Sequence, residues 1–138
     1  MTLHLHVDGG SRGNPGPAGY GVLVTNPEGE VLDRLQGALG VQTNNYAEYR
    51  GLIAALEHAR SRGGEEVRVF SDSLLMVRQM QGRYAVKSPN LAPLHRQARA
   101  LAQGFRRFAI EHVRRERNRE ADALANQAMD GAPASPRA

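Results

Sequence analysis

LHLHVDGGSRGNPGPAGYGVLVT, residues 3–25, decides how the rest of the chain is read. Leu3, Leu5 and Val7 alternate with His4, His6 and Asp8, the period of a half-buried strand. Five glycines and two prolines between residues 9 and 19 then break the pattern. Tyr20 to Thr25 reads as a second strand. Asn26-Pro27-Glu28-Gly29 reads as a turn into a third, from Glu30 to Gln36. Three strands joined by short turns make an antiparallel meander. Asp8 then stands at the end of the first apolar strand, a costly place for a carboxylate unless it is paired or binds a metal.

Downstream, the spacing changes from two to that of a helix. Thr43, Asn44 and Asn45 offer N-caps for a helix reaching about Arg62, with Tyr49, Leu52, Ile53, Leu56 and Ala59 on one side and Gly63-Gly64 to end it. Glu66 to Ser71 reads as a fourth strand, running into Asp72. Helical runs follow over 73–81 and 94–105, separated by an irregular stretch, Gly82 to Pro93. Phe108 to Val113 reads as a fifth strand. A charged loop, Arg114 to Arg119, leads to a last helix, Glu120 to Met129, with Ala121, Leu124, Ala125 and Ala128 on its apolar side. Residues 131–138, small and Pro-rich, are expected to be a disordered tail. A meander followed by α/β crossovers implies a mixed α/β fold, a five-stranded sheet with helices on both faces.

Four acids fall at or near the ends of these elements: Asp8, Glu48, Asp72 and Asp122. A helix N-terminus favours an acid, which would explain Glu48 and Asp122 without any further function. Asp8 and Asp72 have no sequence-local partner to neutralise them. If their strands are neighbours, the two carboxylates meet at one edge of the sheet. Converging carboxylates repel one another unless a cation intervenes. Hard oxygen ligands without Cys or His suit Mg²⁺ or Mn²⁺. Two such ions about 4 Å apart can activate water and stabilise a leaving oxygen in phosphoryl displacement.

Bulk properties narrow the class. A chain of 138 residues fits one domain with a true core. With no cysteine, disulfides and thiolate metal sites are excluded, in agreement with a reducing cytoplasmic setting. No run is apolar enough to span a membrane. Residues 1–72 carry six Arg against nine acids, a net −3, whereas residues 73–138 carry twelve Lys plus Arg against five acids, a net +7. All the basic residues but Lys87 are Arg, whose fork matches phosphate oxygens. An acidic half beside an Arg-rich half suits an anionic polymer brought to bound metal; a solvated Arg-rich surface is the plain alternative.

Four segments together, DGGSRGNPGPAGYG (8–21), TNNYAEYRGLIAALE (43–57), SDS (71–73) and NREADALAN (118–126), resemble ribonuclease H type 1 in its compact form, over roughly residues 3–129. The resemblance implies one ribonuclease H domain over residues 1–130. It implies an endonuclease that cuts the RNA strand of an RNA/DNA hybrid, with two Mg²⁺ ions per site and Mn²⁺ as a substitute. Asp8 would bridge both ions, Asp122 would share the ion on the attacking-water side, and Glu48 and Asp72 the ion on the leaving-group side. Glu48 would also lie near a ribose 2′-hydroxyl. Asn14 and Asn44, and more weakly Asn45, match positions that contact the hybrid. Thr43 and Asn90 match a pocket for a DNA-strand phosphate, contacts that position rather than read sequence.

Two departures stand out. Better-known members carry a Lys- and Trp-rich helical protrusion; here Gly82 to Pro93 is short and the chain has no tryptophan. Many members also place a His in the loop before the last acid. RRERNRE has none, so Arg115 or Arg117 is the expected phosphate-engaging cation, ahead of His112, which reads as part of strand five. His4, His6, His58 and His95 read as solvated surface. GGSRGNPG is not a nucleotide-cradling loop, because YGVLVT after it is a strand and not a helix. Its glycines are expected to serve a tight turn and close approach of RNA. A catalytically silent binding module and another two-metal enzyme remain the competing classes. Retention of four acids disfavours the first, and the TNN tripeptide and short chain the second. The expected state is a cytoplasmic monomer with no obligate protein partner.

Overall fold

A computed structural model describes residues 1–131. The expected tail therefore lies outside the described residues, except for Gly131, which closes the last helix. The strands are β1 (Thr2–Ser11), β2 (Gly16–Thr25), β3 (Val31–Gln42), β4 (Glu66–Ser71) and β5 (Arg107–His112). The helices are α1 (Asn44–Ser61), α2 (Leu74–Met80), α3 (Ala92–Gln103) and α4 (Arg119–Gly131), with one 3₁₀ turn at Arg115–Arg117. The sheet order is β3-β2-β1-β4-β5. β1–β2 and β2–β3 pair antiparallel, whereas β1–β4 and β4–β5 pair parallel, so the expected mixed five-stranded sheet is what forms.

The glycine-rich stretch differs from its sequence reading. β1 does not stop at Asp8. It continues through Gly9 and Gly10 to Ser11, with Asp8 opposite Gly21 and Gly10 opposite Gly19. Most of these glycines serve contacts between elements of the protein itself. A Cβ on Gly9 would lie 2.4 Å from the Ala47 carbonyl carbon, and one on Gly21 2.4 Å from the Ala121 carbonyl oxygen. They let α1 and α4 approach the strands at backbone distance. The true turn is confined to residues 12–15, where Gly13 takes a φ of +87°. Because β2 starts early, its partner β3 runs on to Gln42, six residues beyond the expected end at Gln36.

Alternation along β1 sends odd and even residues to opposite faces. Leu3, Leu5 and Val7 are fully buried on one face, in a cluster with Tyr49, Leu52 and Leu56 of α1 and with Ala98 and Ala102 of α3. α4 packs on the other face, over β2 with β1 and β3, placing Ala121, Leu124, Ala125 and Ala128 in the interface. Nothing helical intervenes between α2 and α3, where residues 81–91 form an irregular connection.

The histidines are not simply solvated. His6 stacks on Phe70 at 5.1 Å, and His4 meets the same ring edge-on at 5.4 Å. His58 on α1 pairs with Asp33 of β3 at 2.8 Å. His95 packs edge-on against Tyr49, with its Nε2 3.2 Å from the Gln79 carbonyl. Each lies where two elements meet, and a two-residue or helical period does not report which elements those are.

Candidate active site

Parallel pairing of β1 and β4 places Val7 beside Ser71. The next residues, Asp8 within β1 and Asp72 just past the end of β4, therefore lie side by side near the sheet centre. Thr43 caps α1, its Oγ1 accepting from the Tyr46 N–H at 3.2 Å, and Glu48 follows in the second turn. Helix-dipole stabilisation fades beyond the first turn, so helix capping does not account for Glu48. It is instead buried against Gly9, together with Asp8, and each is only 8% exposed. One oxygen from each of Asp8, Glu48 and Asp72 lies within 4.8 Å of the others. Asp122, in the first turn of α4, is not within 4.8 Å of all three, but it neighbours Asp8 and lines the same cleft of about 890 Å³. Asn126 Nδ2 donates to its carboxylate at 3.3 Å.

The electrostatics follow from this crowding. Burial, followed by the charge of Asp72 and the hydrogen bonding and charge of Asp122, pushes the Asp8 carboxyl up to about 8, with the Gly9 N–H opposing. Burial, then Asp8 and Asp72, drives Glu48 well above the ordinary carboxylate range, partly offset by the Gly9 N–H and Arg115. Glu48 Oε1 is buried without a hydrogen-bond partner among the described residues. A buried, unpaired oxygen costs about 1–3 kcal/mol. Three hard oxygens in reach of one another, two of them on carboxyls reluctant to ionise, fit a divalent cation. Such an ion would satisfy Glu48 Oε1 and favour ionisation of its neighbours.

The other expected residues divide. Asn44 lines the cleft; its Oδ1 accepts from the Ser11 N–H at 2.8 Å. Asn14 Oδ1 accepts from the Asn44 N–H at 3.0 Å. Each amide thus uses its oxygen to join the β1–β2 turn to the start of α1, which turns its NH₂ donors away from that contact. Arg115 lines the cleft, its Nε 3.8 Å from Asp72 Oδ2. Arg117 does not; it lines a neighbouring depression with His4 and His6. His112, ranked below these arginines from the sequence, does reach the cleft, because β5 ends there beside Ser71. Thr43, Asn45 and Asn90 are exposed and stand outside the cleft lining.

Three residues escaped assignment from sequence. Arg12 donates to Asn126 Oδ1 at 3.1 Å and pairs with Asp130 at 2.7 Å, clasping the far half of α4 to the turn. Asn118, 2% exposed, donates from Nδ2 to the Val7 carbonyl at 2.9 Å. Asn118 and Asn126 both belong to NREADALAN, but Asn118 reaches Val7 and Asn126 accepts from Arg12, each more than 100 residues away in sequence.

A mixed sheet and its flanking helices that gather acids into one cleft define an α/β protein with a carboxylate cluster suited to a divalent cation. The family described as "Reverse transcriptase-like" matches residues 6–128. The chain is 54% identical over 136 residues to the "Bifunctional protein Rv2228c" of Mycobacterium tuberculosis, covering 98% of this chain and 37% of that protein. It is 42% identical over 130 residues to the "Ribonuclease HI" of Halobacterium salinarum, covering 94% of this chain and 65% of that one. It thus spans about a third of the first relative's length and just under two thirds of the second's. The solved N-terminal RNase H domain of Rv2228c superposes with a TM-score of 0.92 at 53% identity, with 94% of each chain covered. LC11-RNase H1, solved in complex with an RNA/DNA hybrid, gives 0.90 at 41% identity, with 94% of this chain and 98% of that one covered. The chain belongs to the ribonuclease H family, type 1.

Proposed function

We propose that this chain is an endonuclease that hydrolyses the RNA strand of RNA/DNA hybrids, leaving 5′-phosphate and 3′-hydroxyl ends. Residues 1–130 would be its catalytic domain, working as a cytoplasmic monomer. The observation that carries the reading is the convergence of Asp8, Glu48 and Asp72 within 4.8 Å, in a cleft that Asp122 also lines. Hybrid-bound LC11-RNase H1, similar over nearly the whole chain, supports the choice of substrate.

Asp8, Glu48, Asp72 and Asp122 would hold two Mg²⁺, with Mn²⁺ able to substitute. Bound there, the ions would supply a nucleophilic water and charge neutralisation at the scissile phosphate. The chain's own residues do the rest. The side-chain NH₂ groups of Asn44, in the cleft lining, and of Asn14, bonded to the Asn44 backbone, donate to the hybrid backbone and sugar edges. Asn45, Thr43 and Asn90 extend that contact outside the cleft, Thr43 and Asn90 toward a DNA-strand phosphate. Arg115, 84% exposed and beside Asp72, is free to swing onto a phosphate and help product leave; Arg117 has the same chemistry on the adjoining surface. The Arg-rich half of the chain draws in the polyanion, so affinity falls steeply with salt.

The test is cleavage of end-labelled RNA/DNA hybrid beside double-stranded RNA, single-stranded RNA and double-stranded DNA, in Mg²⁺ and in Mn²⁺. Hybrid-only cleavage, abolished by Asp72→Asn in a folded protein, is expected. Binding without cleavage would overturn the enzymatic reading.

A further inference from the structure

The structure assigns to Asn118 the role of a positioning residue that sets the separation of Asp122 from Asp8. The inference rests on the metal-dependent reading above. Asn118 joins two acids through two hydrogen bonds. Its side-chain Nδ2 donates to the carbonyl of Val7, the residue before Asp8. Its own carbonyl accepts the N–H of Asp122 at 3.0 Å, the first turn of α4. α4 otherwise packs on Gly19 and Gly21 of β2 and, through Met129, on Gly10 of β1, contacts that permit close approach but do not fix the rotation of the helix start. A directional bond from a buried amide does.

The cost of the arrangement points the same way. Asn118 Oδ1 is buried and has no hydrogen-bond partner among the described residues. A residue before a helix ordinarily turns such an oxygen onto the first free N–H groups. Here φ −127° and ψ 28° hold the backbone away from the extended conformation of such a cap, and the amide faces Val7 instead. An orphaned buried acceptor is a liability for stability. Removing the side chain gives up one hydrogen bond and one orphan together, so stability should change little. Spacing of the acids should change much more.

Asn118→Ala and Asn118→Ser test this. Metal-free Tm is expected to stay within about 4 °C of wild type for either variant. The rise in Tm produced by Mg²⁺ should shrink, and the Mg²⁺ dissociation constant by calorimetry should increase about tenfold or more, the scale seen when groups that orient metal ligands are lost. On hybrid, kcat should drop about 10- to 100-fold while KM moves less than about threefold. Leu124→Val, a packing change on the same helix, should instead lower Tm equally with and without metal. In an Asp122→Asn background, Asn118→Ala should weaken Mg²⁺ binding by less than about twofold further, because the residue acts through Asp122. An undiminished Mg²⁺ response in either Asn118 variant would overturn the assignment, as would full additivity with Asp122→Asn. Should Asn118→Ala not fold, that already contradicts the expected stability, and Asn118→Ser decides the metal response. Absence of any Mg²⁺ response in the wild type would remove the two-metal reading itself, and the assignment with it.

Discussion

The two faces of the sheet are built on opposite plans. Under α1, Leu3, Leu5 and Val7 of β1 meet Leu52 and Leu56, all fully buried, and large side chains fill the space between helix and strand except near Gly9, where Ala47 comes to backbone distance. Under α4, Gly19 and Gly21 meet Ala121, Ala125 and Ala128, and the backbones approach within the space of one methyl group. The first face yields stability in proportion to the apolar area it hides. The second hides mostly small side chains, and it delivers the start of α4, and Asp122 with it, to the carboxylates of the central strands. The first face makes the fold durable and brings Glu48 to the site; the second adds Asp122.

That contrast can be broken from either side. Leu56→Ala should cost about 2–5 kcal/mol of folding stability, measured by denaturant unfolding, while activity per folded molecule stays near wild type. Gly21→Ala should cost about 1–3 kcal/mol, since its methyl would collide with the Ala121 carbonyl, yet cut activity per folded molecule more than tenfold. If Leu56→Ala harmed catalysis more than Gly21→Ala did, the division of labour would be wrong.

Acidity sharpens it further. Asp8 holds its proton up to about pH 8, against an ordinary value of 3.8, so the folded chain keeps a proton that the unfolded chain releases. The stability this confers is complete below about pH 4 and is lost as pH rises toward 8. Glu48 is shifted in the same direction. His4 and His6 are shifted below 6.5 by burial, so they act in the opposite sense below that value. Between pH 6.5 and 8 the metal-free Tm should therefore fall, and the increment from Mg²⁺ should grow. A flat metal-free profile would contradict the crowding of the acids.

The smallest effect belongs to Arg115. Its contact with Asp72 is long and the guanidinium itself is exposed, so the pair is worth about 0–1 kcal/mol and Arg115→Ala should leave Tm almost unchanged. Multiple-turnover rates should slow severalfold, and Arg117→Ala, outside the cleft, should slow them less. Equal effects would show that the loop, and not the cleft-facing side chain, governs release.

The acids and the element order were legible in the sequence because each signal is local. An apolar period ran into Asp8 and Asp72, caps preceded Glu48, and NREADALAN opened a helix. What sequence alone misread were contacts between distant segments. Gly9 and Gly21 look like loop residues until α1 and α4 are seen against them. Asn118 looks like one polar residue in a charged loop until its amide reaches Val7. His112 looks like an ordinary strand residue until the end of β5 is seen opening into the cleft. Periodicity reports which face a residue occupies, not who stands opposite.

The pairing of Val7 with Ser71 carries a further consequence. Side chains on adjacent strands alternate, so sliding either strand by one residue would swing its acid to the opposite side of the sheet. Metal affinity in such a centre cannot be tuned by small slippages of the strands; it is held whole or abolished. Lengthening this chain is therefore tolerable at the exposed Asn26–Glu30 turn, whereas a single residue added within β1 or β4 would dismantle the centre at once.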